Sequence, residues 1–259
     1  MPKLAANLSL MFTEVPFLDR FAAARGNGFE AVEFLFPYAF EVDTIAERLA
    51  RCKLELVLHN LPPGNWDGGD RGMACDPARV AEFEASVTLA LAYALPLGVK
   101  QLHCLAGRLP PGIAPEQAHR TYIANLRHAS ARLAAHGLRL LIEPINTVDM
   151  PGYFLTGSEQ AAAVIAEVGA DNLFLQLDLY HLHRMGEDLP AVIQRQRART
   201  AHMQVADSPG RHEPGSGEID FPSLFALIDR IGYTGWIGCE YHPRGDTVGG
   251  LGWRRQCFA

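Results

Sequence analysis

Short apolar segments alternate with longer segments of mixed polarity along the whole chain. Short apolar runs bounded by turn-forming residues are typical of buried strands, and longer runs with a period of about 3.6 residues are typical of helices. The pattern predicts eight strands, over 4–10, 29–34, 54–59, 101–105, 138–143, 173–178, 201–205 and 236–240. It predicts helices between them, over 17–25, 41–51, 77–95, 115–136, 158–168, 189–198 and 221–231.

The regular alternation of strands and helices predicts the fold. Eight strands alternating with helices over 259 residues match a (β/α)8 barrel, or TIM barrel, in number and in size. A doubly wound open sheet is the alternative, but such a sheet usually carries a Gly-rich fingerprint after its first strand, and none follows Leu10. Because no linker-like stretch interrupts the alternation, residues 1–259 are predicted to form a single α/β domain with this barrel fold.

Oxygen-bearing side chains stand at the C-terminal ends of four predicted strands: Glu143, Asp178, Gln204 and Glu240. In a parallel barrel these strand ends meet at one mouth, which is the catalytic face. Three carboxylates and an amide oxygen would repel one another there unless a cation lay between them, and oxygen ligands favour Mg²⁺ or Mn²⁺ over zinc. The four residues are therefore predicted to bind a divalent metal. Pairing of a glutamate with a lysine or arginine, and a simple hydrogen bond from Gln204 to a neighbour, stay open as alternatives.

Glu143 and Glu240 are the predicted catalytic pair. They belong to the fifth and the eighth strand, on opposite sides of the mouth, so a small substrate could lie between them. Two carboxyls that flank one substrate can remove a proton from one carbon and return it to the next. Burial and a nearby metal would bring their pKa values towards the working pH.

Three further residues are predicted to bind the substrate. His181 follows a predicted metal ligand by three residues and could hydrogen-bond a carbonyl or hydroxyl oxygen. Arg211 lies in a polar loop and could bind a carboxylate through two hydrogen bonds; its alternative is an ion pair with Glu213 or Glu218. His59 ends the third strand and could line the pocket, or it could be a structural histidine.

The composition restricts the partners and the compartment. A net charge of −6 argues against a nucleic-acid surface, which normally needs a basic patch. The most apolar stretch, 85–99, is interrupted by Pro96 and is too short to span a bilayer, so a buried helix is expected there. Five cysteines without a CxxC pair indicate a reducing compartment. With no signal-peptide pattern at the N-terminus, a cytoplasmic protein is expected.

Several runs of this sequence resemble the hydroxypyruvate isomerase family. These runs are 60–66 with Gly72, 141–147, 151–154, 176–181, 204–214 with Gly217 and Glu218, and 238–241. The resemblance extends over nearly the whole chain, and the Pro-Gly-Arg-His-Glu-Pro segment at 209–214 is specific.

The resemblance implies a xylose-isomerase-like barrel that interconverts hydroxypyruvate and 2-hydroxy-3-oxopropanoate (tartronate semialdehyde) through an enediolate. It places the two catalytic glutamates at Glu143 and Glu240, and the divalent-metal ligands at Glu143, Asp178, Gln204 and Glu240. Related ketose epimerases commonly carry histidine at the position of Gln204, which puts tight metal binding in question. Close relatives that isomerise 2-oxo-tetronates share most of these motifs, so the sequence leaves the substrate length open.

Three other classes of protein share parts of this pattern. A ketose 3-epimerase would use the same pair of glutamates on free sugars. An endonuclease with this barrel would need a histidine-rich zinc cluster and a basic groove, which the charge and the glutamine at position 204 oppose. A sugar-acid binding protein would bind its ligand without exchanging hydrogen. The tail at 249–259 could close the pocket or pack on another subunit, which leaves a homo-oligomer open.

Overall fold

Eight short strands pair in parallel, in the order of the sequence, and close into a barrel in a computed structural model that describes residues 2–257. The strands are β1 Lys3–Asn7, β2 Ala31–Glu33, β3 Glu55–Asn60, β4 Gln101–His103, β5 Arg139–Ile142, β6 Leu173–Asp178, β7 Thr200–Val205 and β8 Trp236–Cys239. Closure joins β1 to β8, where Leu4 lies opposite Ile237. The predicted (β/α)8 barrel is confirmed.

Helices follow the strands and form an outer layer. They are α1 Phe17–Gly26, α2 Val42–Cys52, α3 Val80–Leu97, α4 Pro115–Ala134, α5 Ser158–Val168, α6 Leu179–Arg184, α7 Leu189–Gln196, α8 Phe221–Arg230, α9 Thr247–Gly250 and α10 Trp253–Cys257. Apolar side chains fill the space between the two layers, with Phe21, Phe83, Tyr122 and Phe225 among the largest that are fully buried.

Several elements are shorter than predicted, α6, α9 and α10 were not predicted, and three of these differences have a visible local cause. Strand β1 ends at Asn7 instead of residue 10, because the Asn7 Oδ1 atom accepts a hydrogen bond from the Ser9 amide at 3.0 Å and begins a turn. Helix α3 begins at Val80 instead of residue 77, because Asp76 Oδ1 accepts from the Ala78 amide at 2.9 Å in a preceding turn. Helix α6 was not predicted. It starts directly after β6, where the Asp178 side chain caps it.

Helix α3 contains the most apolar stretch of the sequence. By length and composition alone it is the one helix within residues 2–257 that could cross a membrane. In the structure, 39% of it is buried, and the buried positions, which include Phe83, Val87 and Leu91, recur at helical spacing. This face packs on the hydrophobic core, whereas Leu89 and Leu95 are exposed, so the expected burial holds for one face of the helix only.

The C-terminal segment packs on its own barrel. The Trp253 indole donates a hydrogen bond to the Tyr241 hydroxyl at 3.2 Å, and its ring stacks near Phe225. The Arg254 guanidinium lies 4.8 Å from the centre of the Phe29 ring. Residues 258 and 259 of the tail lie outside the described residues. The described part of the tail therefore covers the outside of the barrel near α1 and α8.

Polar side chains collect at the C-terminal ends of the strands. Asn7, Glu33, Asn60, His103 and Asp178 are the last residues of β1, β2, β3, β4 and β6, and all five are buried. Burial of polar groups costs free energy unless they are hydrogen-bonded or serve a ligand. This concentration of polar groups at one end of the barrel marks the catalytic mouth.

Candidate active site

The four strand-end side chains predicted as metal ligands come together at the mouth of the barrel. Glu143 follows β5, Asp178 ends β6, Gln204 is the penultimate residue of β7, and Glu240 follows β8. A cavity of about 180 Å³ opens above them, and Glu143, His181, Arg211 and Glu240 are among the residues that line it. Asp178 and Gln204 lie beneath this lining and are fully buried.

His59 lies apart from this cavity. Its ring is completely buried beside Phe34 and Tyr38, and its Nδ1 atom is 3.1 Å from the carbonyl oxygen of Asn60. Burial lowers the pKa of His59 to about 4. The structure therefore surrounds His59 with aromatic rings and does not place it among the residues that line the cavity.

Both oxygens of the Glu240 carboxylate have a partner. Oε1 accepts a hydrogen bond from Arg211 Nη2 at 2.9 Å, and Oε2 accepts one from Gln204 Nε2. Glu143 has a looser environment, with His103 Nε2 at 3.6 Å from its Oε2 atom. The two carboxyls predicted to exchange a proton with the substrate therefore differ, since Glu240 is held on both sides and Glu143 is not.

The pKa values of both glutamates are raised. Burial raises the pKa of Glu143 well above its ordinary value, and the charges of Glu240 and Asp178 raise it further. Burial also raises the pKa of Glu240, which the Arg211 charge lowers in part, to about 8. A carboxyl whose pKa is raised from its ordinary value towards the working pH can both accept and donate a proton there.

The raised pKa of Glu240 predicts that the metal-free protein loses stability at alkaline pH. A carboxyl with a higher pKa in the folded chain than in the unfolded chain contributes stability at low pH, and this contribution is lost as the pH rises through the folded pKa. For Glu240 this loss of stability occurs between pH 4.5, its ordinary pKa, and about pH 8, its pKa in the folded chain. Buried histidines with lowered pKa values act in the opposite direction below their ordinary pKa of about 6.5. Between about pH 6.5 and pH 8, a change in the free energy of unfolding therefore comes from the carboxyls and not from the histidines.

We expect the free energy of unfolding of the metal-free protein to fall between these two pH values, and to fall less in a Glu240→Gln variant. Denaturant unfolding in the presence of a chelator measures both slopes. Equal slopes for the two proteins would contradict the raised pKa.

His181 presents one defined face to the cavity. Its Nδ1 atom accepts a hydrogen bond from Asn146 Nδ2 at 2.6 Å, and its Nε2 atom lies 3.6 Å from Asp178 Oδ2. Burial, with a contribution from the Arg211 charge, lowers the pKa of His181 well below its ordinary value, so the ring is neutral. A neutral imidazole that accepts at Nδ1 carries its proton at Nε2 and can donate it to a substrate oxygen.

Arg211 lies between two of the buried carboxylates. Its Nη2 atom is 2.9 Å from Glu240 Oε1 and 3.6 Å from Asp178 Oδ2, and the guanidinium lies 5.2 Å from the centre of the Tyr180 ring. Burial alone would lower the pKa of Arg211, but the surrounding carboxylates raise it above its ordinary value. Its Nε donor is buried and has no partner within residues 2–257. One N–H of Arg211 is therefore available for an anionic ligand.

The alternative ion pairs of Arg211 are not the ones that the structure forms. The Glu213 carboxylate accepts a hydrogen bond from the Arg244 backbone amide at 3.0 Å, and the Arg211 guanidinium contacts Asp178 and Glu240. Glu218 is exposed. The arginine predicted to bind a carboxylate therefore points into the site.

The loop that carries Arg211 is organised around one buried carboxylate, that of Asp207. Its two oxygens accept hydrogen bonds from the backbone amides of Ser208, Gly215, Gly217 and Ile219, at 2.8–3.0 Å. The backbone of Arg211 is left-handed, with φ of 55°, a conformation that is uncommon for residues other than glycine. The Asp207 carboxylate thus holds both ends of a loop whose central residue is turned towards the cavity.

The donor set at the mouth fits a divalent cation. One ligand atom from each of Glu143, Asp178 and His181 lies within 4.8 Å of the others, and Asp178 Oδ2 is buried without a hydrogen bond from any of the residues 2–257. Carboxylate oxygens are suitable ligands for Mg²⁺ and Mn²⁺. The amide oxygen of Gln204 accepts one hydrogen bond, from Gln176 at 2.6 Å, which leaves its second lone pair for coordination.

Comparison with known proteins agrees with this architecture. A family model described as a xylose isomerase-like TIM barrel matches residues 21–257, which is most of the chain. The chain belongs to this family. The closed barrel agrees with this family, and the cavity lies at the C-terminal ends of the strands, where TIM barrels carry their active sites.

Relatives within the xylose-isomerase-like family narrow the class of enzyme. A hydroxypyruvate isomerase from Escherichia coli (strain K12) is 46% identical over 253 residues, which cover 98% of each chain. A 2-oxo-tetronate isomerase from Cupriavidus necator is 47% identical, over 98% of this chain and 97% of the relative. A crystal structure of a Brucella melitensis protein, described as an AP endonuclease of family 2, is 46% identical with a TM-score of 0.96 and covers 99% of both chains. The chain is an isomerase of this family, as the sequence predicted.

Several residues of this xylose-isomerase-like site were not predicted from the sequence. His103 lies beside Glu143, Asn146 beside His181 and Gln176 beside Gln204, and each pair joins segments that are far apart in the sequence. Glu33 at the end of β2 is the most notable, because it is a carboxylate with only 1% of its surface exposed. The run at 29–34 contains two glutamates, and only Glu33 lies next to the C-terminal end of the predicted strand, which was the signal that could have identified it.

Proposed function

We propose that this enzyme interconverts hydroxypyruvate and 2-hydroxy-3-oxopropanoate by proton transfer between adjacent carbons. The observation that carries the proposal is the pair of buried carboxyls, Glu143 and Glu240, which line one cavity together with a cationic Arg211. A cavity of about 180 Å³ is suited to a small acid. The predicted single domain is part of the proposal, since the site takes residues from strands throughout the chain.

Each side chain has a defined role in the proposed reaction. One of the two glutamates removes a proton from C3 of hydroxypyruvate, which gives an enediolate with negative charge on the C2 oxygen. His181 donates a hydrogen bond from Nε2 to that oxygen, and such a donor is commonly worth about 3 kcal/mol at the transition state. The other glutamate gives a proton to C2, and the C3 hydroxyl proton passes to the C2 oxygen, directly or through solvent, so that C2 gains a hydroxyl as the aldehyde forms at C3. Arg211 binds the substrate carboxylate.

A divalent metal ion is part of the same proposal. Glu143, Asp178, Gln204 and Glu240 would hold Mg²⁺ or Mn²⁺, and ligand atoms of Glu143 and Asp178 already lie within 4.8 Å of each other. When bound, the ion supplies positive charge that polarises the substrate oxygens and stabilises the enediolate. The buried Asp178 Oδ2 atom, which accepts no hydrogen bond within the described chain, supports this assignment.

A 2-oxo-tetronate isomerase is the second candidate, because the relative from Cupriavidus necator carries that name at 47% identity. The same residues would act on an acid one carbon longer. A ratio of kcat/KM values for the three-carbon and four-carbon acids decides between the two names, and a kcat/KM for fructose or tagatose above both would favour a ketose 3-epimerase instead.

The decisive experiment is proton NMR of the pure enzyme with hydroxypyruvate in deuterated water, with and without a chelator. We expect conversion to the aldehyde, incorporation of solvent deuterium at the carbon that receives the proton, and loss of both with the chelator. Substrate that binds but exchanges no hydrogen would indicate a binding protein. Activity that is untouched by the chelator would remove the metal from the proposal.

The proposal places the enzyme in the cytoplasm, in glyoxylate metabolism, with a small-molecule substrate and without a nucleic-acid or membrane partner. A net charge of −6 supports the absence of a nucleic-acid surface. Because one relative is described as an AP endonuclease, a nicking assay on DNA with abasic sites provides the control, and we expect no cleavage. A homo-oligomer remains compatible with the site, which is complete within one chain.

A further inference from the structure

Glu33 is a buried carboxylate that lies beneath the active site and has three hydrogen-bond donors. It ends β2 with 1% of its surface exposed. Its Oε1 atom accepts from Asn7 Nδ2 at 3.0 Å and from Gln204 Nε2 at 2.8 Å, and its Oε2 atom accepts from His202 Nε2 at 2.7 Å. The donors come from strands β1 and β7, so the carboxylate joins opposite ends of the chain across the barrel.

The neighbouring strand leaves room for this carboxylate. Gly238 in β8 has no side chain, and a Cβ atom built at that position would overlap the carboxylate of Glu33. Three donors and this close contact fix Glu33 in one position. Glu33 is not among the residues that line the cavity, so it does not touch a substrate there.

One side chain connects Glu33 to the catalytic pair. The Gln204 Nε2 group donates to Glu33 and also to Oε2 of Glu240, while Gln176 donates to the Gln204 oxygen at 2.6 Å. Arg211 holds the other oxygen of Glu240. The direction in which the Glu240 carboxylate faces therefore depends on the Gln204 amide, and the position of that amide depends on Glu33.

We propose that Glu33 is a positioning residue for the isomerisation, which acts by fixing the Gln204 amide and, through it, the Glu240 carboxylate. The inference rests on the proposed function, because Glu240 is the group that it places. A displacement of about 1 Å in a catalytic group can reduce turnover about 100-fold. Loss of the contact from Glu33 should therefore reduce kcat, and KM should change little because Arg211 still binds the substrate carboxylate.

Two conservative variants distinguish the effect of the length of the Glu33 side chain from the effect of its charge. Glu33→Asp keeps the charge but withdraws the carboxylate by about 1.5 Å, one C–C bond, away from Gln204. Glu33→Gln loses the charge but keeps an oxygen that can accept from Asn7 and Gln204, while its NH₂ group can donate to His202 once that ring carries its proton on Nδ1. Positioning predicts that the aspartate is the more damaging substitution.

We expect Glu33→Asp to lower kcat about 10- to 100-fold with KM within about threefold, and Glu33→Gln to stay within about fivefold of the wild type. Glu187→Gln is the matched control, since Glu187 accepts hydrogen bonds from the backbone amide and the hydroxyl of Ser158 far from the cavity. That variant should lose stability without losing kcat per folded molecule. A kcat for Glu33→Asp within twofold of the wild type, or one reduced only in proportion to its unfolded fraction, would overturn the proposal.

A second measurement does not depend on activity. The side-chain amide protons of Gln204, observed by NMR and assigned with a Gln204→Glu variant, should exchange with solvent slowly in the wild type and faster in Glu33→Asp. Exposed Gln117 serves as the fast reference within the same spectrum. Fast exchange at Gln204 in the wild type would overturn the proposal even if Glu33→Asp does not fold. If the wild type turns over no substrate, the proposed function fails, and the exchange rates still decide whether Glu33 holds Gln204.

Discussion

Replacement of Glu143 or Glu240 by glutamine is expected to lower the turnover of hydroxypyruvate by about a thousandfold while the protein stays folded. General acid–base groups commonly contribute 10²- to 10⁴-fold, about 10³-fold at the centre of that range. Glutamine has nearly the same shape as glutamate but cannot accept or release the proton. Both carboxyls have raised pKa values, so their exchange for a neutral amide removes little charge stabilisation from the folded state.

Measurement of kcat, with denaturant unfolding as the check on folding, tests this expectation. Glu47→Gln, on the exposed surface of α2, is the control and should retain full activity. The two active-site variants should also differ from each other in deuterated water. The variant that keeps the base for C3 should still exchange the C3 protons of hydroxypyruvate without forming product, which identifies the base. Residual turnover above one-tenth of the wild type in either variant would refute the mechanism.

The second large effect is expected for Arg211→Met, which should lower kcat/KM about 100-fold or more, mainly through KM. Truncation of one partner of a buried, hydrogen-bonded charge pair commonly costs about 2–5 kcal/mol. Methionine keeps the apolar stem beside Tyr180 and removes the guanidinium, including the Nε donor that has no partner in the described chain. Arg211→Lys should recover part of the loss, because it restores the charge but not the planar pair of donors.

An uncharged substrate separates carboxylate binding from other roles of Arg211. Dihydroxyacetone has the same three carbons and carries no carboxylate, so any turnover of it should fall much less in Arg211→Met than the turnover of hydroxypyruvate. The control is Arg195→Met, since Arg195 forms an exposed ion pair with Glu159 on the outside of the barrel. Equal losses for the charged and the uncharged substrate would indicate that Arg211 acts on Glu240 alone and does not bind the carboxylate.

The barrel and the strand-end residues could be predicted because both depend on local sequence pattern. Each strand of a parallel barrel is short and apolar, and its C-terminal residue faces the mouth wherever the strand happens to end. Glu143, Asp178, Gln204 and Glu240 could therefore be placed together without knowledge of any contact between them. Their roles as ligands or bases remain predictions, since proximity alone does not assign them.

The parts that could not be predicted depend on contacts between distant segments. In the sequence, Glu33 is only a polar residue within a predicted strand. Its partners Asn7 and His202 lie 26 and 169 positions away along the chain, so the contacts could not be predicted. Helix α6 was missed because no turn former separates it from β6. Its first hydrogen bond is made by the side chain of Asp178, which the sequence suggested only as a ligand.

The loop around Asp207 has a consequence for how small a substrate can be. An acid of three carbons has few atoms with which to offset the loss of its own freedom on binding, and the affinity available per atom is limited. If the loop that carries Arg211 became ordered only when the substrate bound, the entropy cost of ordering it would reduce that affinity. Because four backbone amides of the loop already donate to the Asp207 carboxylate, Arg211 would meet a substrate carboxylate in a fixed position. The rigid loop would thus allow the enzyme to select an acid as small as three carbons.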